Sequence, residues 1–390
     1  MLIGVDASRA FVSDKTGTEN YSYELLTAML KLPEAEEHSW RLYVKEIPKG
    51  SVLKGRTFLE LIPIQWPRLW TQGGLAWECL KRPPDVLWVP AHTLPVIRRR
   101  KMKTVVTIHG IEYEYLPEFN RFPQSLYLNK STEYAVKWAD KLIAVSKSTK
   151  KQLVERLGAD EKKIEVVYEG IGEIFTTEGS ELARGVRNQV RRKYQLPKDY
   201  ILFVGTIQPR KNLVRLVEGF SRIEKSDPKR SGLTTKGSER YKSSEPTNLI
   251  IAGKEGWMSE EIYKAPKKYG VEDKVQFIGR VDDEDLPVVY KMAKLFVWPS
   301  LMEGFGLPIL EAMQMGVPVI ASNRGALPEV GGKAMIQVDP ERVEEIAKAI
   351  KSVLEDKVLR ESLIARGNRQ VKKFSYQKAA QKTLKILTEW

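Results

Sequence analysis

The chain has 390 residues, 42% of them hydrophobic and 9% aromatic, with one cysteine and three histidines. That length exceeds one ordinary core and predicts two domains, and the composition excludes disordered, collagen-like and disulfide-framed chains. The net charge of +14 favours anionic partners such as nucleic acid, an anionic membrane surface or phosphorylated ligands, without choosing among them. The charge is uneven: residues 1–173 hold 26 Lys and Arg against 22 Asp and Glu, leaving 38 against 28 for the rest. The lone Cys79 fits a reducing compartment. With no basic-then-apolar leader and no membrane-length apolar run, a cytoplasmic-type chain is expected.

In chain order, short β-branched runs alternate with helical periodicity, which predicts βαβ units and parallel sheets. The first half offers strands at Leu2–Val5, Asp85–Val89, Thr104–Ile108, Lys141–Val145 and Ile164–Val167, with helices at Glu19–Leu32 and Ser146–Leu157. The second offers strands at Tyr200–Val204, Asn248–Ala252, Val275–Ile278, Leu295–Val297, Val317–Ile320 and Met335–Val338. Helices at Leu213–Ile223, Asp283–Met292, Leu307–Met315 and Glu341–Leu354 fill the gaps, and Val358–Val371 and Tyr376–Leu387 close the chain. Glycines at 170, 172 and 179 suggest a boundary near Glu173–Glu178. The polar stretch Glu224–Thr247 lacks apolar periodicity and reads as a solvated insertion.

The most informative stretch runs from Pro299 to Met313 and contains Glu303-Gly-Phe-Gly-Leu-Pro-Ile-Leu-Glu311. It follows an apolar strand and opens a helix, so Gly304 and Gly306 let backbone approach a ligand at a helix N-terminus suited to phosphate. Glu303 and Glu311 could then reach different hydroxyls of one ligand. A glycine turn with a Glu stabilised by the helix dipole explains the same residues. A second loop, Gly205-Thr-Ile-Gln-Pro-Arg-Lys-Asn212, puts Arg210 and Lys211 at a strand's carboxyl end, where paired cations neutralise a diphosphate or simply face water. His109 follows a buried strand and could be a satisfied structural residue. Gly17 lies in a weaker glycine-containing loop, with neither GxGxxG nor a P-loop pattern. Asp282-Asp-Glu-Asp285 reads as helix capping ahead of a metal site.

These stretches together resemble the retaining GT-B glycosyltransferases of family 4, the glycosyl transferases group 1. Glu303 and Glu311 match the E-x7-E motif and residues 205–212 the diphosphate loop, while Ala139–Ser146 and Ile164–Gly170 resemble the end of the N-terminal domain. The resemblance implies an α/β fold of two doubly wound Rossmann-like domains facing a cleft. Residues 1–175 would form the acceptor-side domain, 176–373 the nucleotide-sugar domain, and 374–390 a helix packing back on the first. It implies that Glu303 bonds donor-sugar hydroxyls, that Glu311 bonds the ribose, and that backbone at Gly304, Phe305, Gly306 and Leu307, with Gly205, Arg210 and Lys211, holds the diphosphate. Gly279, Arg280 and Val281 would frame the base, His109 would lie against the donor sugar, and Gly17 would line the cleft. Some relatives carry a basic residue where Thr206 stands. No metal and no separate cofactor are implied.

Residues 209–212 and 89–95 resemble mannosyltransferases of surface-polysaccharide assembly. A GDP-mannose donor is therefore favoured, with UDP-sugars as alternatives, and a glycolipid or polysaccharide acceptor. The cluster Arg98–Lys103 would let the protein sit peripherally at the inner face of an anionic membrane. The competing readings are another GT-B enzyme, such as a nucleotide-sugar epimerase or a phosphorylase, and a non-enzymatic basic nucleic-acid-binding protein. No RNP-like run or zinc spacing supports the last, so no nucleic-acid partner is expected.

Overall fold

The computed structural model describes residues 1–12, 15–48, 53, 55–115, 124–176, 184–225 and 247–390. The expected insertion therefore lies, from residue 226 to 246, outside the described residues. The chain divides into two compact units, one of Met1–Gly172 with Phe374–Trp390 and one of Glu173–Lys373.

The first unit is built on a parallel sheet of β1 (Leu2–Asp6), β2 (Ser39–Val44), β3 (Leu59–Pro63), β4 (Val86–Val89), β5 (Lys103–Ile108), β6 (Lys141–Ala144) and β7 (Ile164–Val166). Its strand order is β3-β2-β1-β4-β5-β6-β7. The second carries β8 (Tyr200–Val204), β9 (Asn248–Ala252), β10 (Val275–Gly279), β11 (Leu295–Trp298), β12 (Val319–Ser322) and β13 (Ile336–Val338), in the order β10-β9-β8-β11-β12-β13. Every residue of β4 and β11 is buried, the unbroken apolar run expected of a strand covered on both faces. Both sheets grow outward in two directions from a first strand, so each has a point where the order reverses, β1/β4 and β8/β11. In such sheets a crevice opens outside the carboxyl ends of the strands flanking that point.

Two strands escape the sequence pattern. β3 is an edge strand buried only at Ile62, and β2 follows the acidic turn Pro33–Glu37 and includes Arg41. Edge exposure erases the apolar run by which the inner strands are recognised. The capping assigned to Asp282–Asp285 is also corrected. Asp285 stands at the N-cap without a side-chain cap bond, and Lys193 Nζ donates at 2.6 Å to a carboxylate oxygen of each of Asp282 and Asp285. An ammonium offers a carboxylate more than a neutral amide does.

The last helix, Tyr376–Thr388, belongs to the first unit and packs on the helix Gly17–Leu30. Lys382 Nζ donates to the Val166 carbonyl at 2.8 Å, and the rings of Tyr168 and Phe374 meet edge to face at 5.6 Å. At Gly170 the chains come so close that an added Cβ would lie 2.1 Å from the Tyr376 nitrogen. Gly17, by contrast, has nothing within 4 Å of such an atom. Gly170→Ala should therefore lower the melting temperature of this unit by roughly 4 to 10 °C, because the overpacked atom meets backbone that cannot yield. Gly17→Ala should leave it unchanged, and calorimetry of the pair checks both.

Candidate active site

The reversal point of the second sheet brings together the two loops singled out in the sequence. The loop after β8 carries Arg210 and Lys211 in the 3₁₀ turn Pro209–Lys211, and the loop after β11 carries Glu303. The Leu301 N–H donates to the Arg210 carbonyl at 2.9 Å. Asn212, in the left-handed region at φ 61°, donates from Nδ2 to the carbonyls of Pro299 at 3.1 Å and Pro340 at 2.6 Å. Asparagine tolerates that backbone while its amide ties the strand ends together.

Glu303 is 7% exposed and receives both cations. Lys211 Nζ donates to its Oε1 at 2.6 Å, and Arg210 donates to its Oε2 at 2.8 Å and to the Met302 carbonyl at 2.8 Å. Burial pushes this carboxyl up, but the neighbouring Arg210 and Lys211 charges outweigh it and hold the group at about 2. Glu303 is thus an anion at every ordinary pH. Lys211, itself buried, also lies over the Trp298 ring at 4.3 Å, a cation–π contact whose indole stacks on Phe203 at 4.9 Å. One buried carboxylate is thus met by two cations at the strand ends.

The helix Leu307–Gln314 begins directly afterwards, with Pro308 in its first turn, where the missing N–H costs nothing. Gly306 at its N-cap has φ 107°, and a Cβ there would meet Leu327 at 2.5 Å, so only glycine fits. Phe305 is buried and anchors the loop, Gly304 lies just before it, and Leu307 is partly exposed at the helix head. The first-turn amides of such a helix point at whatever binds there. Glu311, one turn on, accepts from the Tyr290 hydroxyl at 2.8 Å. Burial pushes its carboxyl up to about 7 against that hydrogen bond, with Asp283 adding to the rise. The two glutamates of the motif therefore differ: one is clamped as an anion, the other is poised between charged and neutral.

Gly205 follows β8, and the Gly253 N–H after β9 donates to the Gly279 carbonyl at the end of β10 at 2.7 Å. A Cβ on Gly253 would lie 1.9 Å from the Gly205 carbonyl, so three strand ends form one continuous rim. Arg280, on that rim, is paired with Asp283 at 3.5 Å, and Val281 is buried. No local pattern marks Gly253 or Tyr290, whose roles depend on partners far away in the chain.

Gly17 and His109 belong to the first unit. Gly17 opens its helix beside a capping box in which the Thr16 N–H donates to Glu19 at 3.1 Å. His109 follows β5 with both ring nitrogens engaged, Nε2 at 2.8 Å from the Pro90 carbonyl and Nδ1 at 3.2 Å from Glu169 Oε1. Its backbone N–H donates to His92 Nε2 at 3.4 Å. Burial, then the proximity of His109, pulls His92 down to about 3, so His92 is the neutral acceptor this bond needs. Glu169 is buried, and only its packing, 60 residues away, marks it as the partner of His109.

Two family descriptions match the chain, "Glycosyltransferase Family 4" over residues 17–172 and "Glycosyl transferases group 1" over residues 186–370. The O-antigen chain mannosyltransferase B of Escherichia coli is 30% identical over 387 residues, covering 95% of each chain. WaaG, a glycosyltransferase involved in lipopolysaccharide biosynthesis, superposes with a TM-score of 0.72 over 100% of both chains at 15% identity. Anabaena HepE, solved in complex with UDP-glucose, gives 0.67 over 100% of this chain and 99% of its own at 16% identity. Those likenesses establish the two parallel-sheet units as a GT-B fold. With 30% identity to the Escherichia coli mannosyltransferase over nearly its whole length and both halves matched by the two family descriptions, the chain belongs to the family 4, group 1 glycosyltransferases.

Proposed function

We propose that this glycosyltransferase moves a hexose, with mannose from GDP-mannose favoured over UDP-sugars, to a lipid-linked or polysaccharide acceptor with retention of anomeric configuration. The observation that carries the reading is the convergence of Arg210 and Lys211 on buried Glu303 at the head of the helix Leu307–Gln314. The mannosyl preference rests on the name of the Escherichia coli relative.

On this reading the diphosphate takes the place on Arg210 and Lys211 that the Glu303 carboxylate holds in this structure, and backbone from Gly304 to Leu307 completes its cradle. Glu303, displaced from the cations, turns to donor-sugar hydroxyls, and Glu311 receives the ribose. Breaking the anomeric C–O bond puts negative charge on the departing phosphate oxygen, and fixed cations and helix amides stabilise it where it develops. The acceptor hydroxyl attacks the same face of the sugar and passes its proton to that oxygen, so the new glycosidic bond forms as the old one breaks. A pocket of about 560 Å³ in the first unit, lined by Arg9, Thr16, Glu19, Lys45 and Trp70 among others, is the proposed acceptor site, with Gly17 next to its wall residue Thr16.

A panel of nucleotide sugars in differential scanning tests the reading. The matching donor at about 100 times its Kd should add about 2.7 kcal/mol, and no shift with any GDP or UDP species overturns it. Arg210→Ala should lower kcat by about 100- to 1000-fold, and unchanged turnover removes Arg210 from the site. The two glutamates predict opposite pH effects in the empty protein. Glu303, held below its ordinary 4.5, contributes stability above pH 4.5 that is lost as the pH falls toward 2. Glu311, held above 4.5, favours the fold while protonated and loses that contribution as the pH rises from 4.5 through 7. Glu311→Gln should therefore stabilise the empty protein at pH 8, on the order of 2 kcal/mol, and do nothing at pH 4. Melting curves at the two pH values check it.

A further inference from the structure

We propose that Glu169 is a positioning residue for the transfer reaction, which locks the His109 ring at the carboxyl ends of the first sheet and leaves it no nitrogen with which to move a proton. The proposal rests on the transferase reading, in which His109 lies against the donor sugar, and adds to it a residue and a limit on what the histidine does.

Three loops meet at the ring. Pro90 follows β4, His109 follows β5, and Glu169 lies beyond β7, two strands from β5 in the sheet. His109 Nε2 is 2.8 Å from the Pro90 carbonyl, and a carbonyl only accepts, so this nitrogen carries a hydrogen. Nδ1 is 3.2 Å from Glu169 Oε1, and one proton lies on that line, either on the ring or on the carboxyl. Both placements leave the ring without a free nitrogen. Tyr21 packs edge to face against the imidazole with centroids 4.5 Å apart, and the Tyr21 hydroxyl and Trp88 Nε1 donate to Thr107 Oγ1 at 3.4 and 3.1 Å. The His109 backbone is held as well. The Thr132 hydroxyl donates to the Leu128 carbonyl at 2.8 Å and so accepts from His92 Nδ1 at 3.3 Å. That leaves His92 Nε2 bare to accept from the His109 N–H.

Glu169 is 5% exposed, and among the described residues His109 is the one hydrogen-bond partner of its carboxylate. A buried carboxylate with a single contact is costly to keep, and the chain on either side of it is fixed. Tyr168 meets the Phe374 ring before it, and Gly170 after it lies so close to Tyr376 that no Cβ fits. The final helix thus sets the loop from which Glu169 meets the ring. The His109 side chain keeps 14% of its surface open while both its nitrogens are engaged. A ring held this way contributes by standing still, since it needs no reorganisation as charge develops on a sugar beside it. With no nitrogen free to take the acceptor's proton, that proton goes to the departing phosphate oxygen.

Turnover of the matching sugar nucleotide by the full chain tests the assignment. Glu169→Ala and His109→Ala should each lower kcat by about 100-fold with the donor KM little changed. The double variant should be no slower than His109→Ala alone, because Glu169 acts through the ring. Glu169→Gln, whose amide can donate or accept, should restore most of the loss. Losses that multiply in the double variant, a glutamine variant as slow as the alanine one, or unchanged turnover in either alanine variant overturns the proposal. Glu169→Leu, which fills the buried space and bonds nothing, repeats the alanine test if that variant does not fold. A second readout needs no turnover. The three histidines of the chain give separate signals after nitrogen-15 labelling, and the His109 Nε2–H should be protected from exchange in the parent and in Glu169→Gln but not in Glu169→Ala. Protection that survives the alanine change overturns the proposal. Absence of turnover with every sugar nucleotide defeats the transferase reading instead, and the ring signals still decide whether Glu169 holds His109.

Discussion

A carboxylate buried between two cations at the reversal point of a parallel sheet is the constraint on which the second unit is organised. Leaving any one of these charges unpaired in a buried place would be costly, so Arg210, Lys211 and Glu303 hold two loops 92 residues apart in one arrangement. The backbone follows: Asn212 takes the left-handed region, glycine rims the strand ends, and Gly306 starts a helix against Leu327. The local chemistry is that of an anion site, and in this structure the anion on its two cations is Glu303.

The contrast between the two glutamates explains why their spacing alone says so little. Eight positions apart on loop and helix, they have opposite electrostatic surroundings. Glu303 faces cations and is ionised throughout, while Glu311 faces a tyrosine hydroxyl in a low-polarity setting and resists ionisation. A fixed anion accepts hydrogen bonds only. A carboxyl near neutrality can accept or donate, which suits vicinal hydroxyls that do both.

Much of this architecture is legible in the sequence, and its limits have physical causes. Inner strands such as β4 and β11 are unbroken apolar runs because helices cover both their faces, and they were placed to within a residue or two. β3 lies at the open edge of its sheet, buried only at Ile62, and there the run dissolves, while in β2 Arg41 interrupts it. Short glycine motifs located the candidate site, since close backbone approach is a local demand. What local pattern could not supply was pairing at long range. Nothing near Asp282 announces Lys193, nothing near His109 announces Glu169, and nothing near Glu311 announces the hydroxyl of Tyr290.

The same distinction applies to charge. A net +14 is a total, and the structure sorts it by neighbour. Lys193 is consumed by two aspartates, and Arg210 and Lys211 by a buried glutamate, so these cations have little long-range field until a ligand displaces their partners. Arg99, Arg100 and Lys101 have no acidic partner among the described residues, and their field extends about one Debye length, some 8 Å in physiological salt. Basic residues of the first kind are fixed in geometry by their partners, whereas those of the second kind keep a field that reaches into solvent. A basic sequence therefore needs no nucleic-acid partner to account for its charge.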